Sequence, residues 1–155
     1  MEENLSFYDL IKNEFRLNEI DTGNYSPIVL AYMGDVVLEI VIRTILVNKY
    51  SNRVSNINAK SSFYVKAKTQ STVARIFLNE DIFTEEEKKV YRRGRNANSG
   101  STAKNASLSE YKMSTGFESV LGYLYLNNKN DRIIKLLHKY VEIIDNKKDN
   151  QRKLL

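Results

Sequence analysis

The chain has 155 residues, 42% of them hydrophobic, with six glycines, one proline and no tryptophan; this suits one compact domain with a real core and, with so few backbone punctuators, argues against a many-turned sandwich or barrel. Cysteine is absent, which excludes disulfide scaffolds, thiolate zinc sites and cysteine nucleophiles together and fits a reducing cytoplasm. The net charge is +5, and its excess is central: residues 53–113 hold twelve Lys/Arg against six Asp/Glu, whereas the remainder holds twelve against thirteen. A local basic surface of this kind suits a polyanion, most simply nucleic acid; the alternative is a solvated lysine-rich face.

The chain opens MEENLSFYDL, acidic and without the basic start and apolar run of a secretory signal. Apolar residues at Phe7, Leu10, Ile11 and Phe15 carry a helical period and predict a helix over 6–15. A loop, DTGNYSP, follows. Ser26 is a good N-cap and Pro27 a good first helical residue for a helix running IVLAYMGDVVLEIVIRTILVNKY. That helix is apolar on nearly every side, which places it at the centre of the molecule or of a dimer. Asp35, Glu39 and Arg43 interrupt it, so no apolar run is long enough to cross a membrane.

SNRVSNIN reads as a loop and AKSSFYVKAKTQSTVARIFLNE as one long amphipathic segment. Thr84 and Glu87 form a capping box opening TEEEKKVYRRGR. Residues 94–112, rich in Gly, Ser, Asn and Lys, read as an exposed basic loop. Helical periodicity returns in STGFESVLGYLYL and NDRIIKLLHKYVEII, and the polar DNKKDNQRKLL is expected to fray. The organisation expected is all-α, with one domain over 1–145 and a basic tail over 146–155.

Chemistry has few places to sit. Asp35 and Glu39 lie four residues apart and share one face of the long helix, and carboxylates in an apolar helix are costly to bury unless paired or bound to metal. They could equally line a wet stripe, tied to Arg43 one turn on. Glu118, in GFESVLGYLYL, is a second acid inside an apolar run. Two such intrusions on separate helices suit a shared cation, and hard oxygen ligands suit magnesium, which needs few carboxylates when phosphate completes its shell. Between Tyr91 and Lys112 five cations face one acid. There Arg92, Arg93, Arg95 and Lys104 can hold phosphates, while Asn96, Asn98 and Ser99 can reach ribose hydroxyls or base edges. The single histidine, His138, is a packing or surface residue, since no second histidine or cysteine joins it in a zinc site. The ten tyrosines form no regular stacking platform, and no serine sits in a nucleophile-elbow context.

These residues resemble a known family. LAYMGDVVLE resembles the signature of ribonuclease III, in which a Gly-Asp pair precedes a short apolar stretch ending in Leu-Glu. FESVLGYLYL resembles that family's second catalytic helix. KSS, KAK, TEEE, RRGRNANSG and KN follow in order, and the likeness covers roughly residues 25–145. Together these motifs point to the Mini-ribonuclease III branch, which has the catalytic domain without the usual double-stranded-RNA-binding domain.

The resemblance implies the ribonuclease III endonuclease-domain fold as a helical homodimer. It implies Asp35 and Glu118 as the catalytic, Mg²⁺-binding acids, with Gly34, Glu39 and Thr115 supporting them. It further implies hydrolysis of double-stranded RNA to 5′-phosphate and 3′-hydroxyl ends, in maturing large-subunit (23S) ribosomal RNA precursors in bacteria, with room for a ribosomal protein as accessory. The stretch from Arg92 to Lys104 would supply the RNA grip that the absent domain otherwise provides. Three positions depart from the broader family: acids stand there where this chain has Ile28, Ala31 and Thr115, and residues 53–57 also lack an acid. A non-catalytic RNA-binding or ribosome-associated protein on the same fold is the alternative, and retention of both Asp35 and Glu118 argues against it. The clustered positive charge argues against a helical interaction module with no RNA role.

Overall fold

The computed structural model describes residues 4–50, 54–98 and 106–153, and among them every regular element is helical. In chain order these are α1 (Phe7–Glu14), a single 3₁₀ turn (Thr22–Asn24), α2 (Pro27–Lys49), α3 (Val54–Val65), α4 (Ala67–Asn79), α5 (Glu85–Asn96), α6 (Leu108–Leu126) and α7 (Asn130–Lys153). The starts follow local chemistry. Ser6, Thr84 and Ser107 open α1, α5 and α6 with reciprocal capping boxes, and Ser26 caps α2 ahead of Pro27.

The centre belongs to α6 rather than to α2. Phe117, Val120, Leu121 and Leu124 of α6 are buried among Leu30, Leu38 and Ile42 of α2, Val73 and Phe77 of α4, Tyr91 of α5, and Leu136, Leu137 and Tyr140 of α7. The aromatic members interlock, with ring centroids 5.8 Å apart for Phe77–Phe117 and 5.3 Å for Phe117–Tyr140. α2 buries one side only, leaving Val29, Tyr32, Val36, Ile40 and Val47 exposed. Its all-round apolarity therefore serves a core on one side and an uncovered stripe on the other. Arg132 of α7 grips the buried Glu87 of α5 through both Nε (2.9 Å) and a terminal nitrogen (2.7 Å), and that nitrogen also donates to the Ile82 carbonyl.

Four sequence expectations change. The segment read as a loop after α2 is helical from Val54 onward. The long amphipathic segment is two helices, broken where Lys66 takes extended backbone (φ −61°, ψ 153°). Two side chains support the break by satisfying carbonyls that leave the helix ladder: Thr69 Oγ1 donates to Phe63 O (2.7 Å) and Gln70 Nε2 to Val65 O (2.8 Å). The loop expected from Gly94 onward begins later, because α5 runs to Asn96. Gly94 is buried, and a Cβ there would come within 2.3 Å of Ser119 Oγ, so this glycine permits close helix packing instead of a flexible turn. Finally, residues 146–153, expected as a polar tail, continue α7. No helix among the described residues is long and apolar enough to cross a membrane.

Candidate active site

Two glycines bring the acids together. A Cβ on Gly34 of α2 would stand 1.7 Å from the carbonyl oxygen of Glu118 on α6, and a Cβ on Gly122 would stand 1.9 Å from the carbonyl oxygen of Leu30. The two helices thus cross almost backbone to backbone, which only glycine allows. Asp35 follows Gly34 directly, so this crossing sets it beside Glu118. The Ser119 hydroxyl lies within reach of Pro27 O across the crossing (2.9 Å) and of Thr115 O in its own helix (2.8 Å), and its single proton is shared between them.

Asp35 and Glu118 line one cleft of ≈ 380 Å³ with Ile28, Ala31, Gln70 and Thr115. Burial is the main force on both carboxyls. It raises the Asp35 carboxyl above the usual carboxylate range, with Glu39 adding to the rise. It pushes the Glu118 carboxyl up to about 8; the Gln70 hydrogen bond opposes this, while Asp35 and Glu39 reinforce it. Acids held in this way are starved of positive charge, which a cation would supply.

The donor set fits a magnesium-like ion sparingly. Among the described residues no group of three or more Asp, Glu, His or Cys converges, so two carboxylates would hold the ion and water or phosphate oxygens would complete its shell. Ile28, Ala31 and Thr115, at the three departures noted above, all line the cleft. Its acid count is reduced at the places where further carboxylates would stand.

The other expected residues divide. Glu39 accepts from Arg43 Nε at 2.8 Å on the exposed side of α2, and Thr115 bonds back to Tyr111 O at 3.0 Å. Arg92, Arg93, Arg95 and Asn96 are exposed on the last turns of α5, a helix end instead of a loop. Ser99 and Lys104 lie outside the described residues. His138 is exposed on α7. Gln70 escaped the sequence reading, although it recurs with Val73, Ala74 and Phe77 on the buried face of α4. A glutamine in that register is the signal that could have found it.

The ribonuclease III domain family model matches residues 28–129. A Mini-ribonuclease 3 from Clostridium tetani is 40% identical over 132 residues, covering 84% of this chain and 86% of the relative. One from Staphylococcus aureus is 38% identical, covering 77% and 90%. A crystal structure of a protein from Fusobacterium nucleatum superposes with a TM-score of 0.70 at 27% identity, covering 80% of this chain and 98% of that one.

Proposed function

This chain belongs to the Mini-ribonuclease III branch of the ribonuclease III family, and on that premise we propose that it is a Mg²⁺-dependent endonuclease of double-stranded RNA, acting as a homodimer. Its role on this reading is to mature the ends of large-subunit ribosomal RNA precursors in the cytoplasm. The observation that carries the proposal is the glycine-enforced crossing of α2 and α6, which seats Asp35 and Glu118 in one cleft.

In this reading Asp35 and Glu118 hold the ion through their carboxylate oxygens, while the close α2–α6 crossing keeps the two acids at a fixed separation. Bound there, Mg²⁺ would activate a water and neutralise charge on the scissile phosphate, so that hydrolysis leaves 5′-phosphate and 3′-hydroxyl ends. Arg92, Arg93, Arg95 and Asn96, with Lys104 beyond them, hold the backbone of the duplex. The exposed stripe of Val29, Tyr32, Val36, Ile40 and Val47 meets the same stripe of a second copy, as isologous symmetry requires.

The test is incubation with a long perfect RNA duplex in Mg²⁺ and in EDTA, beside single-stranded RNA and duplex DNA. Metal-dependent cutting of the RNA duplex alone is expected. Binding without cutting would replace the reading with a non-catalytic RNA-binding role, and neither binding nor cutting would remove RNA from the reading altogether.

A further inference from the structure

Gln70 stands on the first turn of α4 and is 1% exposed. Its side-chain nitrogen donates twice, to Val65 O and to Glu118 Oε1, each at 2.8 Å. The first bond fixes the second. Val65 closes α3, and the extended backbone of Lys66 carries the chain away from helical geometry just after it. With the amide reversed, its oxygen would face the Val65 carbonyl, an acceptor with no proton to share. The break between α3 and α4 therefore dictates that an N–H points at Glu118.

The other end of the amide is unsatisfied. Gln70 Oε1 is buried without a hydrogen-bond partner, in a residue that lines the cleft with Asp35 and Glu118. Buried acceptors are nearly always paired, and a bound water or ion is one of the few partners that accounts for an orphan in a native fold. Around a cation held by two carboxylates, the available donors are the waters of its shell.

We infer that Gln70 is the positioning residue of this site: its N–H fixes the Glu118 carboxylate for a divalent cation, and its Oε1 accepts from a water that the cation carries. The inference rests on the reading of Asp35 and Glu118 as a cation site and adds a residue on a third helix to it. Partners that orient a metal-binding carboxylate influence metal affinity by about 10–100-fold.

The test compares wild type with Gln70→Leu, which keeps the volume and removes both polar ends, and with Thr69→Val. The latter cuts the Thr69–Phe63 bond across the same helix break without touching Glu118. Mn²⁺ binding is followed directly by calorimetry and by its paramagnetic resonance. Gln70→Leu is expected to weaken Mn²⁺ binding about 10–100-fold. The Mg²⁺ needed for half-maximal cleavage should rise by a similar factor, with KM for RNA unchanged at saturating metal. Thr69→Val should lower thermal stability and leave Mn²⁺ affinity alone. Should Gln70→Leu not fold, Gln70→Ala, whose vacated space admits a water to the Val65 carbonyl, gives the same readout.

Equal Mn²⁺ affinity in wild type and the Gln70 variant overturns the inference, as does equal weakening by Thr69→Val. If wild type binds Mn²⁺ yet leaves duplex RNA intact, the proposed reaction fails, while the affinity ratio still decides the role of Gln70. If wild type binds no Mn²⁺, both fall.

Discussion

Gly34→Ala should cost this protein both stability and cleavage, because the added methyl has nowhere to go. Its carbon would lie 1.7 Å from Glu118 O, 2.5 Å from the carbonyl carbon and 2.9 Å from Gly122 N. All three atoms are backbone, so no side-chain rotation relieves the clash. Reaching an ordinary contact of 3.4 Å from 1.7 Å requires α2 and α6 to separate by a comparable amount. Overpacking a core usually costs about 1–3 kcal/mol, and a clash with backbone in the central helix pair belongs at or above the top of that range.

For a chain of this size each kcal/mol moves Tm by about 2–4 °C, so a drop of about 6–12 °C is expected. Cleavage should fall further than stability, since Glu118 sits at the point of opening and a displacement of about 1 Å at a catalytic group can cost on the order of 10²-fold. Gly122→Ala, which meets Leu30 O at 1.9 Å, should behave alike. Gly23→Ala, whose Cβ meets only the Asp21 side chain at 3.3 Å, serves as the tolerant control. Thermal melts and a timed duplex-cleavage assay read the outcome. A Gly34→Ala protein with wild-type Tm and rate would refute the claim that this crossing builds the site.

Asp35→Asn and Glu118→Gln should each abolish cleavage while leaving duplex binding in EDTA largely intact; near wild-type cutting by either variant removes that residue from the site. Metal-free wild type should lose stability as pH rises from about 4.5 to about 8, because the folded chain keeps the Glu118 proton over that window and the unfolded chain releases it. Stability is fully present below the lower limit and levels off above the upper one; Glu118→Gln should flatten this dependence in urea titrations, and Mg²⁺ should restore stability to wild type at high pH by mass action. Replacing Arg92, Arg93 and Arg95 by Ala should weaken RNA binding and flatten its salt dependence by up to about three ions' worth of slope; an unchanged slope moves the RNA surface elsewhere. Ile40→Glu, in the exposed stripe of α2, should yield a monomer by light scattering, and a variant of dimeric mass would show that the stripe is not the interface.

Much of the fold was legible because its punctuation is chemical and local. Ser26–Pro27 and the Thr84–Glu87 box name their helix starts outright, and the structure places both as read. Two kinds of feature were not legible. Polar composition hid helices whose stability comes from tertiary packing: Gly94 looks like a turn residue, yet it is a contact against Ser119. The α3–α4 break was hidden because no glycine or proline marks it; Thr69 and Gln70 sustain it from the following turn. In the cleft, acids inside apolar runs singled out Asp35 and Glu118. Gln70 carries no charge to be out of place, and its importance depends on a contact across 48 residues of sequence.

On the proposed reading, these features compensate for the absence of acids at Ile28, Ala31 and Thr115. A cation site made of many carboxylates tolerates imprecision, since repulsion among them is relieved only by metal and several ligands share the load. With two carboxylates in the cleft, orientation must come from the scaffold. α2 supplies it on three sides at once: Gly34 presses against α6, Asp35 lines the cleft, and Val36 and Ile40 lie exposed on the outer face, where the proposed second copy would pack. On the proposed reading, dimerisation and metal binding then act on the same rigid rod. A change in the exposed stripe should therefore be felt in metal affinity as well as in mass, and Ile40→Glu offers the means to see it: Mn²⁺ binding to the monomer should be weaker than to wild type, although Ile40 does not line the cleft.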